Sequence, residues 1–134
     1  MQPIQLDQAS FLLHGVYLPG LKNEHRITKS VIEAIPVDQG DYRPDGISKS
    51  ALDLAWHIVA TEMRFMDALQ AGAFDFSPRP RPDAIGNSQD LNGWYSENFT
   101  PRFAFGIVLD SWTQKICNWS ALNQQSRPSL QFQL

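Results

Sequence analysis

The stretch "SALDLAWHIVATEMRFMDAL", residues 50–69, is the most strongly patterned part of the chain. Ser50 precedes an apolar-periodic run and Asp53 follows three residues on, an arrangement in which each polar side chain can meet an orphan backbone N–H at a helix start. Leu52, Trp56, Val59, Met63 and Met66 form one stripe, and Leu54, Ile58, Phe65 and Leu69 form a second beside it. Apolar side chains thus cover more than half the circumference. The spacing predicts a central helix running to about Gln70, with Gly72 as its stop. Two polar residues interrupt it, His57 and Glu62.

Upstream, an apolar arc of Leu21, Val31, Ile32 and Ile35, with Thr28 on it, predicts a helix over 19–35. Pro19 suits its first turn and Pro36 its end, and a further turn or two is possible near "QASFLL". The "PVDQGDYRPDGIS" that follows has turn residues throughout and reads as a loop. Downstream, "SPRPRPD" at 77–83 cannot continue a helix. Its two arginines are most simply a solvated loop; the sharper alternative is an anion contact at the mouth of a site. After an Asn92-Gly93 turn, Thr100 and Pro101 read as the cap and first residue of a third helix. Phe105, Leu109, Trp112, Ile116 and Trp119 carry it to about Leu122, and residues 123–134 read as a polar tail. Strand signals are weak. The expected fold is therefore all-α, a single domain over 1–134 in which three long helices cover one another as an up-down bundle.

Composition narrows the function. A chain of 134 residues with a net charge of −3 has no overall basic field for nucleic acid. The apolar run "FLLHGVYL" is too short to span a bilayer and lacks a cationic lead, so neither membrane insertion nor export is expected. One cysteine, Cys117, excludes an internal disulfide and a cysteine-based zinc cluster, and suits a cytoplasmic location. It reads as a free buried thiol.

On a helical wheel His57 lies beside Asp53, Thr61 and Arg64, at the edge where apolar and polar faces meet. Glu62 projects among Ala55, Ile58 and Leu69, on the face expected inside. A carboxylate buried there without a partner would cost several kcal/mol or take up a proton. Glu24 and Thr28, four apart on the first helix, are a matching pair on its inward arc. Glu24, Thr28, His57 and Glu62 could therefore converge between two helices. The plainer reading is a set of buried caps and ion pairs.

Residues 23–76 resemble the DinB-like (YfiT-like) family of metal-dependent four-helix bundles. The resemblance is carried by Glu24 and Thr28, the Ile35-Pro36 stop, the loop Tyr42-Arg43-Pro44-Asp45, and Leu54-Ala55-Trp56-His57-Ile58 followed by Glu62. It implies a divalent metal, zinc or nickel, held by three histidines. One of these corresponds to His57, and the other two belong to an H-x-x-x-H motif on a fourth helix. Such a set with an open water position suits activation of bound water or thiol. Members with known activity are thiol-dependent S-transferases or isomerases, and others are regarded as hydrolases.

No histidine follows His57, and His14 and His25 do not replace the missing pair by spacing. The fourth helix is expected to be missing or incomplete, and a shortened reading frame is one explanation. Apolar surface left uncovered would then favour self-association, with a dimer the simplest form. Two readings stand. One is a truncated or degenerate relative with an incomplete metal site, acting as a self-associating helical module. The other is a metal-dependent thiol S-transferase or hydrolase using His57 with ligands from elsewhere, for which Glu24, Thr28 and Glu62 supply supporting hydrogen bonds and a small-molecule ligand is possible. The absent histidines favour the first.

Overall fold

The computed structural model describes residues 2–108 and 111–125. Every regular element among them is helical: α1 (Leu6–Phe11), a π-helical segment (Leu12–Tyr17), α2 (Leu18–Glu33), α3 (Ala51–Ala71), α4 (Ser88–Val108) and α5 (Ser111–Gln125).

The expected central helix forms as read. Ser50 Oγ accepts from the Asp53 amide at 3.1 Å, and Gly72 ends α3 in the left-handed conformation at φ 78°. The stripe of Leu52, Trp56, Val59, Met63 and Met66 is buried. The second stripe is only partly covered, since Leu69 is buried while Leu54, Ile58 and Phe65 stay 51%, 46% and 51% exposed. α3 is thus buried along one stripe and open along the other.

The first helix begins well before Pro19. A proline removes one backbone donor and its ring crowds the carbonyl four residues back. Here the preceding turn widens, so that the Leu18 N–H reaches the Leu13 carbonyl five residues upstream. The helical path from Leu6 to Glu33 passes through the proline without stopping. Ile32 and Leu18 are buried on it, but Val31, assigned by its spacing to the inward arc, is largely exposed.

The expectation of a missing fourth helix is overturned. α4 begins at Ser88, where the Asn87 side chain accepts from the Asp90 amide at 2.8 Å, and it runs straight through Asn92-Gly93. Thr100-Pro101 is interior to α4 and does not start a helix. Around the proline, side chains bond helix carbonyls: Asn98 to Trp94, Thr100 to Ser96, and Arg102 to Asn98, each at 2.9 Å. The single helix expected over 100–122 is two segments, α4 and α5. Asn123 to Gln125, read as tail, belong to α5, while 126–134 lie outside the described residues. Of the aromatic stripe, Ile116 and Trp119 pack against the core. Leu109 and the side chains of Phe105 and Trp112 lie outside the described residues.

Packing follows from these ends. α2 and α3 each pack against α4 and are joined mainly through it, while α5 packs against α1 and α3. Buried Leu91, Tyr95 and Phe99 of α4 fill the space between. Ser88 Oγ donates to the Ile35 carbonyl at 2.8 Å, fixing the start of α4 to the end of α2. Trp119 Nε1 donates to the Gly72 carbonyl at 3.2 Å and ties α5 to the end of α3. Among the described residues no helix is long and apolar enough to cross a membrane.

Candidate functional site

The four polar residues singled out from the sequence fall into two places. Glu62, Thr28 and Glu24 gather around Tyr95 of α4, a residue that the sequence reading had not assigned. The Tyr95 hydroxyl donates a short hydrogen bond to Glu62 Oε2 and interacts with the Thr28 hydroxyl. Glu24 is exposed at the edge of the cluster, close enough for its charge to act on both Glu62 and Tyr95. His57 is elsewhere, exposed on α3 in a cleft that Glu62 does not line.

Burial sets the chemistry of the interior cluster. It pushes the Glu62 carboxyl up, and the Glu24 charge adds to this, against a Tyr95 hydrogen bond that favours the ionised form. Burial also raises the Tyr95 phenol, helped by its bond to Glu62 and by the carboxylate charge. Tyr17 is raised for the same two reasons, burial first and then Glu62. Glu62 Oε1 is buried with no hydrogen-bond partner. The arrangement disfavours negative charge on both members of the Glu62–Tyr95 pair.

His25, which no sequence motif attends, borders this cluster. Its ring stacks on Phe99 at 3.7 Å between centroids and meets Tyr95 edge-on at 4.2 Å. Burial, with the Lys29 charge second, lowers its pKa to about 4, so the ring is neutral at pH 7. Its Nδ1 is buried without a partner. The sequence reading starts its third helix at Thr100 and so leaves Tyr95 outside any helix; the one signal for the earlier start is the Asn87-to-Asp90 cap spacing.

The His57 cleft has a volume of about 440 Å³ and lies between α3 and two loops. The Arg43–Lys49 loop is folded by Asp45, which accepts from the Ile47 and Ser48 amides at 2.8 and 2.7 Å. The Pro/Arg-rich loop is not merely solvated. Trp56 Nε1 donates to the Arg79 carbonyl at 2.8 Å, Arg81 pairs with Asp53 at 2.9 Å, and Arg79 pairs with Asp67 at 3.0 Å. These bonds strap the loop across α3.

The donor set around His57 does not fit the metal that the family resemblance implies. Arg43, Lys49, Arg64, Arg79 and Arg81 share its cleft, and the one carboxylate lining it, Asp53, is tied to Arg81. Five cations oppose a divalent ion there. Among the described residues no group of three or more His, Cys, Asp or Glu side chains is placed to hold a metal. His14 is exposed on the π-helical segment and His25 is enclosed between α2 and α4.

A third feature is apolar. Leu12, Val16, Tyr17, Phe65, Phe74 and Trp119 line most of a second groove of about 440 Å³, between the π-helical segment, α3 and α5. Compared with known proteins, the chain matches no family model, no curated protein and no solved structure. Fold and sites together define an all-helical bundle with a half-buried Glu62–Tyr95 pair, a basic cleft and an uncovered apolar face.

Proposed function

We propose that this chain is a DinB-like helical module that works by pairing with a second copy of itself, with His57 a lone remnant of the family's metal-ligand set. The observation that carries this is the half-exposed stripe Leu54, Ile58 and Phe65 on α3, with Ile27 and Val31 also exposed on α2. A large apolar side chain left in water forgoes roughly 1.5–3 kcal/mol of burial, so a row of them marks a contact surface. The stripe lies on one helix, and a twofold axis would set it against its own copy. The reason for self-association thus differs from the one drawn from the sequence. The fourth helix is present, and the bundle nevertheless leaves one side of α3 open.

Ile58→Glu combined with Phe65→Glu tests this. Both side chains are half-exposed, so helicity measured by circular dichroism should persist while size-exclusion elution shifts to a smaller species. Unchanged elution of a folded double variant would remove the proposed surface.

The metal-dependent reading has Glu62, with its raised carboxyl beside Tyr95, as a candidate working group, since displaced proton affinities cluster at working sites, but that pair lies outside the His57 cleft. It predicts stoichiometric zinc or nickel lost in His57→Ala. The cationic surroundings of His57 predict instead that neither wild type nor variant retains metal.

A further inference from the structure

Five of the chain's eleven Lys and Arg residues line the His57 cleft, on a protein whose net charge is −3. Only part of that positive charge is spent on internal ion pairs, Arg79 with Asp67 and Arg81 with Asp53. Among the described residues, no carboxylate lies within salt-bridge distance of Arg43, Lys49 or Arg64. Arg43 Nη1 is held by the Ser48 carbonyl at 2.8 Å and Arg64 Nη2 by the Ser77 carbonyl at 2.7 Å. Backbone carbonyls fix these guanidinium groups in place and leave their charge intact. Arg64 Nε is moreover buried with no hydrogen-bond partner. A buried donor costs free energy unless something accepts from it.

We propose that this cleft binds the phosphate group of a small phosphate monoester. The cations come from three separate elements: the Arg43–Lys49 loop, α3, and the loop carrying Arg79 and Arg81. A planar carboxylate satisfies one guanidinium fork, whereas a tetrahedral dianion offers oxygens in several directions and suits donors arriving from several sides. The Thr61 and Ser48 hydroxyls donate internally, to the His57 carbonyl and to Asp45, so the cations are the anion's donors, while Trp56, Ala60 and Pro80 give the wall an apolar part for the rest of the ligand. The volume lies within the range of small-molecule sites. The other six Lys and Arg residues are spread along the chain and, among the described residues, extend no basic track from the cleft's lining, which favours a small ligand over a nucleic-acid strand.

Calorimetric titration of the full-length chain with glucose 6-phosphate at 0.15 M salt is the test, with inorganic phosphate, citrate and a single-stranded oligonucleotide as competitors. Saturable one-site binding is expected, displaced by inorganic phosphate and weakened at least tenfold in both Lys49→Gln and Arg64→Gln. Arg26→Gln, on α2 and outside the cleft, should bind as wild type. Lys49 is exposed, so its variant remains folded even if Arg64→Gln does not. Absence of saturable binding, or equal affinity in wild type and Lys49→Gln, would overturn the proposal. Citrate or the oligonucleotide binding more tightly than the sugar phosphate would overturn the assigned ligand class.

Discussion

Tyr95 is the residue on which the interior polar cluster turns. Tyr95→Phe keeps the ring and removes the donor to Glu62, leaving both carboxylate oxygens of a half-buried group unpartnered. A loss of about 1–3 kcal/mol in denaturant unfolding is expected. Glu62→Gln should act in the opposite direction. The raised Glu62 pKa means that the native state resists ionisation, so removing the charge stabilises the fold above the carboxyl's folded pKa, and the gain disappears below its ordinary value of 4.5. His25 carries the reverse dependence on acid. Above its ordinary value of 6.5 it is neutral in both states and contributes nothing. Between 6.5 and about 4 the unfolded chain takes up a proton that the native ring refuses, and stability falls. Thermal melts of wild type against His25→Phe across that window should diverge as pH drops, with the variant losing less. Glu62 stood out in the sequence as a carboxylate on an apolar face. Its partner did not, because Tyr95 fills a core position as any aromatic would, and only the path of α4 brings its hydroxyl to α3.

At the scale of the elements, local chemistry that looks alike had opposite outcomes. Ser50 and Gly72 bound α3 as their residue types require. Pro19 and Pro101, equally suggestive of helix starts, both lie on helical paths that begin earlier. A widened turn accommodates the first, and side-chain bonds to nearby carbonyls surround the second. Asn92-Gly93, a common turn dipeptide, is helical because the Asn87 cap had already started α4 and Leu91, Tyr95 and Phe99 draw it into the core. Tertiary packing overrode local propensity there, and only the Asn87-to-Asp90 spacing signalled the true start. A cost of helical glycine should therefore remain at position 93. A Cβ there meets no atom within 4 Å, so Gly93→Ala is expected to stabilise by about 0.5–1 kcal/mol in urea unfolding. Gly72→Ala should destabilise, since φ at 78° strains any residue bearing a Cβ.

For the whole molecule, the all-helical class and the central place of α3 follow from apolar periodicity alone, which is insensitive to where each helix ends. The number of helices does not, because it depends on whether two prolines and one Asn-Gly pair break the chain. Nor does the separation of His57 from Glu62, which lie on one helix but face different neighbours: arginine-bearing loops on one side, α4 on the other. The two surfaces are independent, one apolar along α3 and one basic beside it. Substitutions in the stripe should alter assembly without altering anion affinity, and Lys49→Gln should do the reverse. Sedimentation equilibrium of wild type at micromolar concentration bears on the pairing itself. A mass near twice the 15.2 kDa of one chain, insensitive to salt as an apolar contact requires, is the result expected. A mass of 15.2 kDa throughout the micromolar range would mean that Leu54, Ile58 and Phe65 face water as a matter of course, and pairing would have to be abandoned.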